Sequence, residues 1–139
     1  NQLTLAVMNN TIDFVNSKTK VDDKTYLIRD SIRRDIMQEK LDIVVKACED
    51  KIAEDIKTIE IGDKTSIADY FVIATGNSVL QTQAIANVVE EKVEKAGYEV
   101  LSKEGFRDGR WILVDLGDII VHVFTKEKRE FYNIEKLWD

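Results

Sequence analysis

The most constraining part of this chain is 111–124, where two runs rich in aliphatic side chains, 111–116 and 119–124, are separated only by Gly117 and Asp118. A two-residue loop with glycine first fits a type II′ turn, so the two runs are predicted to be antiparallel strands. Such a turn also sets the register. Leu116 then faces Ile119, Val114 faces Val121 and Ile112 faces Val123, an all-aliphatic set that belongs in a core. The opposite face pairs Asp115 with Ile120, Leu113 with His122, and Trp111 with Phe124. That second face is neither clean core nor clean solvent. It needs cover from a helix of the same chain, a second subunit or a partner, and Trp is over-represented among binding hot spots.

The remaining elements follow from periodicity. Leu41, Val44, Val45, Cys48 and Ile52 form one helical stripe. Ile59 and Ile61 alternate with polar residues, as on a half-buried strand, and Gly62-Asp63 is a turn signal. Residues 70–74 are a near-continuous apolar run, suited to a strand buried on both faces. Ser78 is a good N-cap for a helix lined by Ile85, Val88, Val89, Val93 and Ala96 and ended by Gly97. Residues 98–101 start another strand, Asp108-Gly109 reads as a hairpin turn, and Phe131, Ile134 and Trp138 fall on one face of a last helix. Helix, strand, strand, helix, three-stranded meander, short helix is the order of an α/β (α+β) domain. Its mixed sheet has about five strands flanked by helices.

Residues 1–36 differ in style. Leu5, Met8, Ile12 and Val15, and then Ile28, Ile32 and Ile36, suggest two short helices separated by the polar stretch 16–23, with Thr25 as a cap for the second. This segment carries six Lys/Arg and five Asp/Glu, whereas 37–139 carries fourteen and twenty-one, a net −7. An acidic domain is a poor general nucleic-acid binder and suits a basic protein partner, or simply solubility. The expected organisation is a helical appendage, 1–36, before a domain at 37–139. No apolar run approaches the ~20 residues that span a bilayer, and no signal-like opening is present, so the cytoplasm is the default expectation.

Chemistry finds little purchase. Cys48 is the only cysteine, which excludes an internal disulfide and a multi-cysteine zinc site, and His122 is the only histidine. Cys48 reads as a small core residue. His122 reads as a structural or interface histidine rather than a base. Gly76-Asn77-Ser78 sits where a strand meets a helix, a place that can bind an anion, but neither a P-loop lysine nor a full dinucleotide fingerprint accompanies it. Asp115 and Asp118 flank a turn, where Asp is common for conformational reasons. The expectation is no enzyme, no metal and no cofactor. The rival is a nucleotidyl or phosphoryl transferase using Ser78, Asp115 and Asp118.

Three long stretches carry a resemblance: 66–78 (SIADYFVIATGNS), 109–124 (GRWILVDLGDIIVHVF) and 129–138 (REFYNIEKLW). In order and spacing they are similar to the ribosomal silencing factor (RsfS, Iojap-like) family, across essentially all of 37–139. The resemblance implies a mixed α/β fold similar to nucleotidyltransferases but without their catalytic signature. It further implies binding to the large ribosomal subunit through its protein number fourteen, which blocks joining of the small subunit and slows translation in starvation. Some relatives serve large-subunit assembly in organelles. Residues 9–15 (NNTIDFV) and 24–30 (KTYLIRD) resemble the C-terminal tail of YqeK-like HD-domain phosphohydrolases, as if 1–36 were the tail of a domain fused upstream. That tail brings no catalytic residue.

Patterning and resemblance together place partner contacts on Trp111, with Leu113, His122, Phe124 and Tyr132 around it. Arg110 and Arg129 are expected at the rim, facing acidic side chains or rRNA phosphate. A homodimer burying the Trp111 face between identical subunits is a second reading of the same surface.

Overall fold

The computed structural model describes residues 23–138. Helix α1 (Asp23–Asp50) is followed by strands β1 (Glu54–Glu60) and β2 (Tyr70–Gly76), helix α2 (Val79–Lys95), and strands β3 (Ser102–Glu104), β4 (Trp111–Asp115) and β5 (Ile119–Thr125). Two short helices, α3 (Lys126–Tyr132) and α4 (Ile134–Trp138), close the chain. The strands form one mixed sheet in the order β1-β2-β5-β4-β3. β2 and β5 are parallel and the other neighbours antiparallel. The expected mixed sheet with flanking helices is what the chain forms.

The hairpin register is the one the turn dictates: Trp111 faces Phe124, Ile112 faces Val123, Leu113 faces His122, Val114 faces Val121 and Asp115 faces Ile120. Gly117 adopts φ +91°, which a side chain would resist, and the Leu116 amide donates to the Ile119 carbonyl at 2.9 Å. The aliphatic face joins Val72 and Ala74 of β2 under α1 and α2. Leu41, Val44, Ala47 and Cys48 come from α1, and Ile85, Ala86, Val89 and Val93 from α2. As expected of a strand buried on both faces, β2 also sends Phe71 and Ile73 to the opposite side.

Several local expectations need correction. The helix across Met37 is continuous, so the segment around Ile28, Ile32 and Ile36 and the stripe from Leu41 are one element. No Gly or Pro lies between residues 23 and 50 to break it, and Thr25 lies inside the helix instead of capping it. The helix predicted upstream, around Leu5 to Val15, lies outside the described residues. Ile52 is not part of the stripe: it lies beyond the helix, 78% exposed, in the left-handed region at φ 57°. β3 begins at Ser102 and not at Tyr98: Tyr98 is buried, its hydroxyl donating to Glu39 of α1 at 2.6 Å, and sheet bonding starts only where the Leu101 amide donates to the Asp115 carbonyl at 2.8 Å. Asp108-Gly109 is not a two-residue hairpin. It belongs to a longer loop in which the Gly109 amide donates to the Gly105 carbonyl, and a Cβ on Gly109 would stand 2.5 Å from Val79 Cγ1.

Candidate docking face

The sheet surface away from α1 and α2 is covered unevenly. On the β1–β2 side, Ile59, Ile61, Phe71 and Ile73 lie beneath Ile134 and Trp138 of α4. The Trp138 ring stands 5.7 Å from Phe71 at 76°. On the β4 side the cover stops: Trp111, Leu113 and Asp115 remain half-buried, and Tyr132 at the end of α3 is 48% exposed. The cross-strand partners of Asp115 and Leu113 on β3 are Ser102 and Glu104, so the open side runs from an aromatic centre to an acidic flank.

Trp111 is packed by three side chains. Its ring stacks on Phe124 at 4.9 Å and 28°, and Tyr132 lies 4.7 Å away. Its indole N–H donates to His122 Nδ1 at 3.1 Å. Because Nδ1 accepts, the imidazole proton is assigned to Nε2, which is buried and has no hydrogen-bond partner among the described residues. Burial pushes the His122 pKa down to about 4, so the ring is neutral near neutral pH. The phenyl ring of Phe71 lies 4.6 Å from it at 74°.

The seven residues expected to contact a partner therefore separate. Trp111, Leu113 and Tyr132 reach the surface. Phe124 (0% exposed) and His122 (4%) lie beneath it, Phe124 stacked on the Trp111 ring and His122 accepting its indole N–H. Arg110 is exposed, but Asp108 holds its guanidinium through three contacts of 2.8 to 3.1 Å, and that pairing in turn holds the Asp108 carboxyl below its usual range. Arg129 is turned inward. It donates to the Asp55 carbonyl at 2.6 Å and to Thr75 Oγ1 at 2.7 Å, and it pairs with Glu135. It anchors the C-terminal helices to β1 and β2 and is not a free rim cation.

Phe131, Ile134 and Trp138 do not share a helical face. Asn133 adopts φ 44°, ψ 51° and ends α3, so Phe131 is 73% exposed while Ile134 and Trp138 turn onto the sheet. Phe131 packs at 5.0 Å against Tyr132 and extends the exposed aromatic patch. Asn133 itself was the available signal, since Asn tolerates the left-handed conformation.

The residues of the transferase rival do not converge. Ser78 Oγ accepts the Gln81 amide, Asp115 Oδ1 accepts the Gly117 amide at 2.8 Å, and Asp118 Oδ1 takes the Lys40 ammonium at 2.6 Å. Ser78 follows the C-terminal end of β2, whereas Asp118 precedes the start of its parallel neighbour β5. Seven residues of strand, roughly 23 Å, lie between those two ends. The Asn77 amide is also occupied, donating to Gln81 Oε1 at 2.6 Å, so this helix start is capped by its own side chains. Among the described residues no three His, Cys, Asp or Glu side chains are grouped to hold a metal ion. Cys48 is buried and its thiol is pushed up to about 12, consistent with a core role. No helix among the described residues is long and apolar enough to cross a membrane.

The described residues thus form a mixed α/β domain, one sheet face closed by helices and the other presenting a supported, half-open aromatic patch. The model of the family described as "Ribosomal silencing factor during starvation" (RsfS) matches residues 34–139. A ribosomal silencing factor RsfS from Bacillus subtilis (strain 168) is 49% identical over 98 residues, which cover 70% of this chain and 83% of the relative. A crystal structure of a Chromobacterium violaceum protein superposes with a TM-score of 0.72 at 39% identity, covering 73% of this chain and 84% of that one. A Mus musculus protein named "Mitochondrial assembly of ribosomal large subunit protein 1" is 31% identical over 101 residues, 70% of this chain and 44% of the relative. The chain belongs to the RsfS family of ribosomal silencing factors, whose named role is regulatory and not enzymatic.

Proposed function

We propose that this chain represses translation by binding the large ribosomal subunit through its protein number fourteen, and that its bulk there blocks joining of the small subunit. The observation that carries the reading is the half-open face centred on Trp111, Leu113 and Tyr132 in a domain of this family. Its acidic flank, Glu104 and Asp115, matches a basic ribosomal protein in charge and leaves rRNA contact peripheral. No covalent step is required: a steric block needs affinity, and a supported aromatic anchor supplies much of it. The test is co-sedimentation with purified large and small subunits, followed by a subunit-joining assay. Binding to the large subunit alone, with joining suppressed in proportion, is expected. Failure to sediment with the large subunit overturns the proposal. The name of the mouse relative favours a second reading, large-subunit assembly, in which binding occurs but joining of mature subunits proceeds normally.

A further inference from the structure

We propose that His122 is the positioning residue of this face: by accepting the Trp111 indole N–H it fixes the orientation in which Trp111 meets its partner. The inference rests on Trp111 being the docking centre. The contacts with Phe124 and Tyr132, at 4.9 and 4.7 Å, hold the ring in place but do not by themselves select which edge points inward. The hydrogen bond to Nδ1 does, because it is directional and the indole has a single donor. It runs diagonally across the hairpin, since Trp111 pairs with Phe124 and Leu113 with His122.

The surroundings of His122 argue that it is there for this bond. Its strand neighbours on the same face are Ile120 and Phe124, its register partners are Ile73 and Leu113, and Phe71 packs on the ring. An apolar residue of similar shape would suit that setting better than an imidazole whose Nε2 is buried without a partner among the described residues. With the indole N–H directed inward, Trp111 offers a partner only ring surface. An aliphatic or cationic side chain fits that surface and a hydrogen-bond acceptor does not.

The test compares His122→Phe, which keeps shape and removes the acceptor, with His122→Asn, whose amide oxygen can stand in for Nδ1. Affinity for purified large subunits, the unfolding midpoint and the Trp111 indole N–H signal by NMR are read on each. His122→Phe is expected to weaken binding about three- to tenfold without lowering the midpoint, with the indole signal moved toward its free position. His122→Asn is expected to recover part of both signal and affinity, which a merely structural role would not do. Wild-type affinity for His122→Phe beside weakened Trp111→Ala overturns the positioning role and leaves the docking face standing. Wild-type affinity for Trp111→Ala removes the docking face, and the proposal with it. If the phenylalanine variant does not fold, His122→Leu replaces it, and equal affinity of the Leu and Asn variants overturns the proposal.

Discussion

Trp111 rests on Phe124 and against Tyr132, yet stays half-buried, so truncation should affect binding more than folding. A Trp111→Ala change is expected to weaken large-subunit binding by at least ~2 kcal/mol, about thirtyfold. Its effect on stability should fall below the ~3–5 kcal/mol of a fully buried Trp. Denaturation and affinity measured on the same variant decide it: if stability collapses while the folded fraction binds normally, the docking face is wrong. His122 gives a second outcome at this scale. Burial holds its folded pKa near 4, below the 6.5 of an unperturbed imidazole. Between those values the unfolded chain binds the extra proton, so stability falls as pH drops from about 6.5 toward 4. The full interval is worth roughly 3 kcal/mol. His122→Phe should flatten that limb, visible as a smaller gap between denaturation midpoints at pH 7 and pH 4.5. Identical gaps in both proteins would show that His122 does not carry it. Residue identities on this face were legible in the sequence, whereas their depth was not: Trp111 and Phe124 are register partners, and only the packing makes one the surface and the other its support.

Among the elements, the α1–β1 connection stores strain. Ile52 sits at φ 57° with its side chain in solvent, held by Gln81, whose amide nitrogen donates to the Lys51 and Ile52 carbonyls at 3.1 and 3.0 Å. Ile52→Gly relieves the left-handed conformation and loses little burial, so stability should rise by about 0.5–1 kcal/mol. An unchanged or lower denaturation midpoint would mean that the backbone is unstrained there. The helical stripe gave no hint of this, because its period continues through residue 52 while the backbone has already left the helix. The C-terminal helices teach the same lesson. Phe131, Ile134 and Trp138 have helical spacing, but one residue in the left-handed region, Asn133, sends them to different surroundings.

For the whole molecule, the shift in composition near Met37 does not coincide with a break in the backbone, since α1 runs through it. Ile36 and Met37 pack partly against the main core, and Lys40 reaches the hairpin turn at Asp118. Deleting residues 1–36 removes Ile36 but keeps Lys40 and the buried stripe. The shortened chain is therefore expected to fold, to lose about 1 kcal/mol of stability, and to bind large subunits as the full chain does. A shortened chain that is unfolded by circular dichroism would place the domain boundary further upstream, inside α1.

The sequence alone determined what local geometry controls. A glycine-led two-residue turn admits one register, so the pairing of β4 with β5 and the aliphatic core face followed directly from residues 111–124. Ser78 and Gly97 bound α2 for equally local reasons, a side-chain cap and a residue free to take positive φ. Only the tertiary structure decided how far the second face is covered. α4 closes the β1–β2 side and leaves Trp111 at its margin, and that boundary depends on Arg129 reaching Thr75 and the Asp55 carbonyl, 54 and 74 residues away. Contacts between groups so distant along the chain depend on how whole elements pack, and no periodicity or turn signal in the local sequence records them.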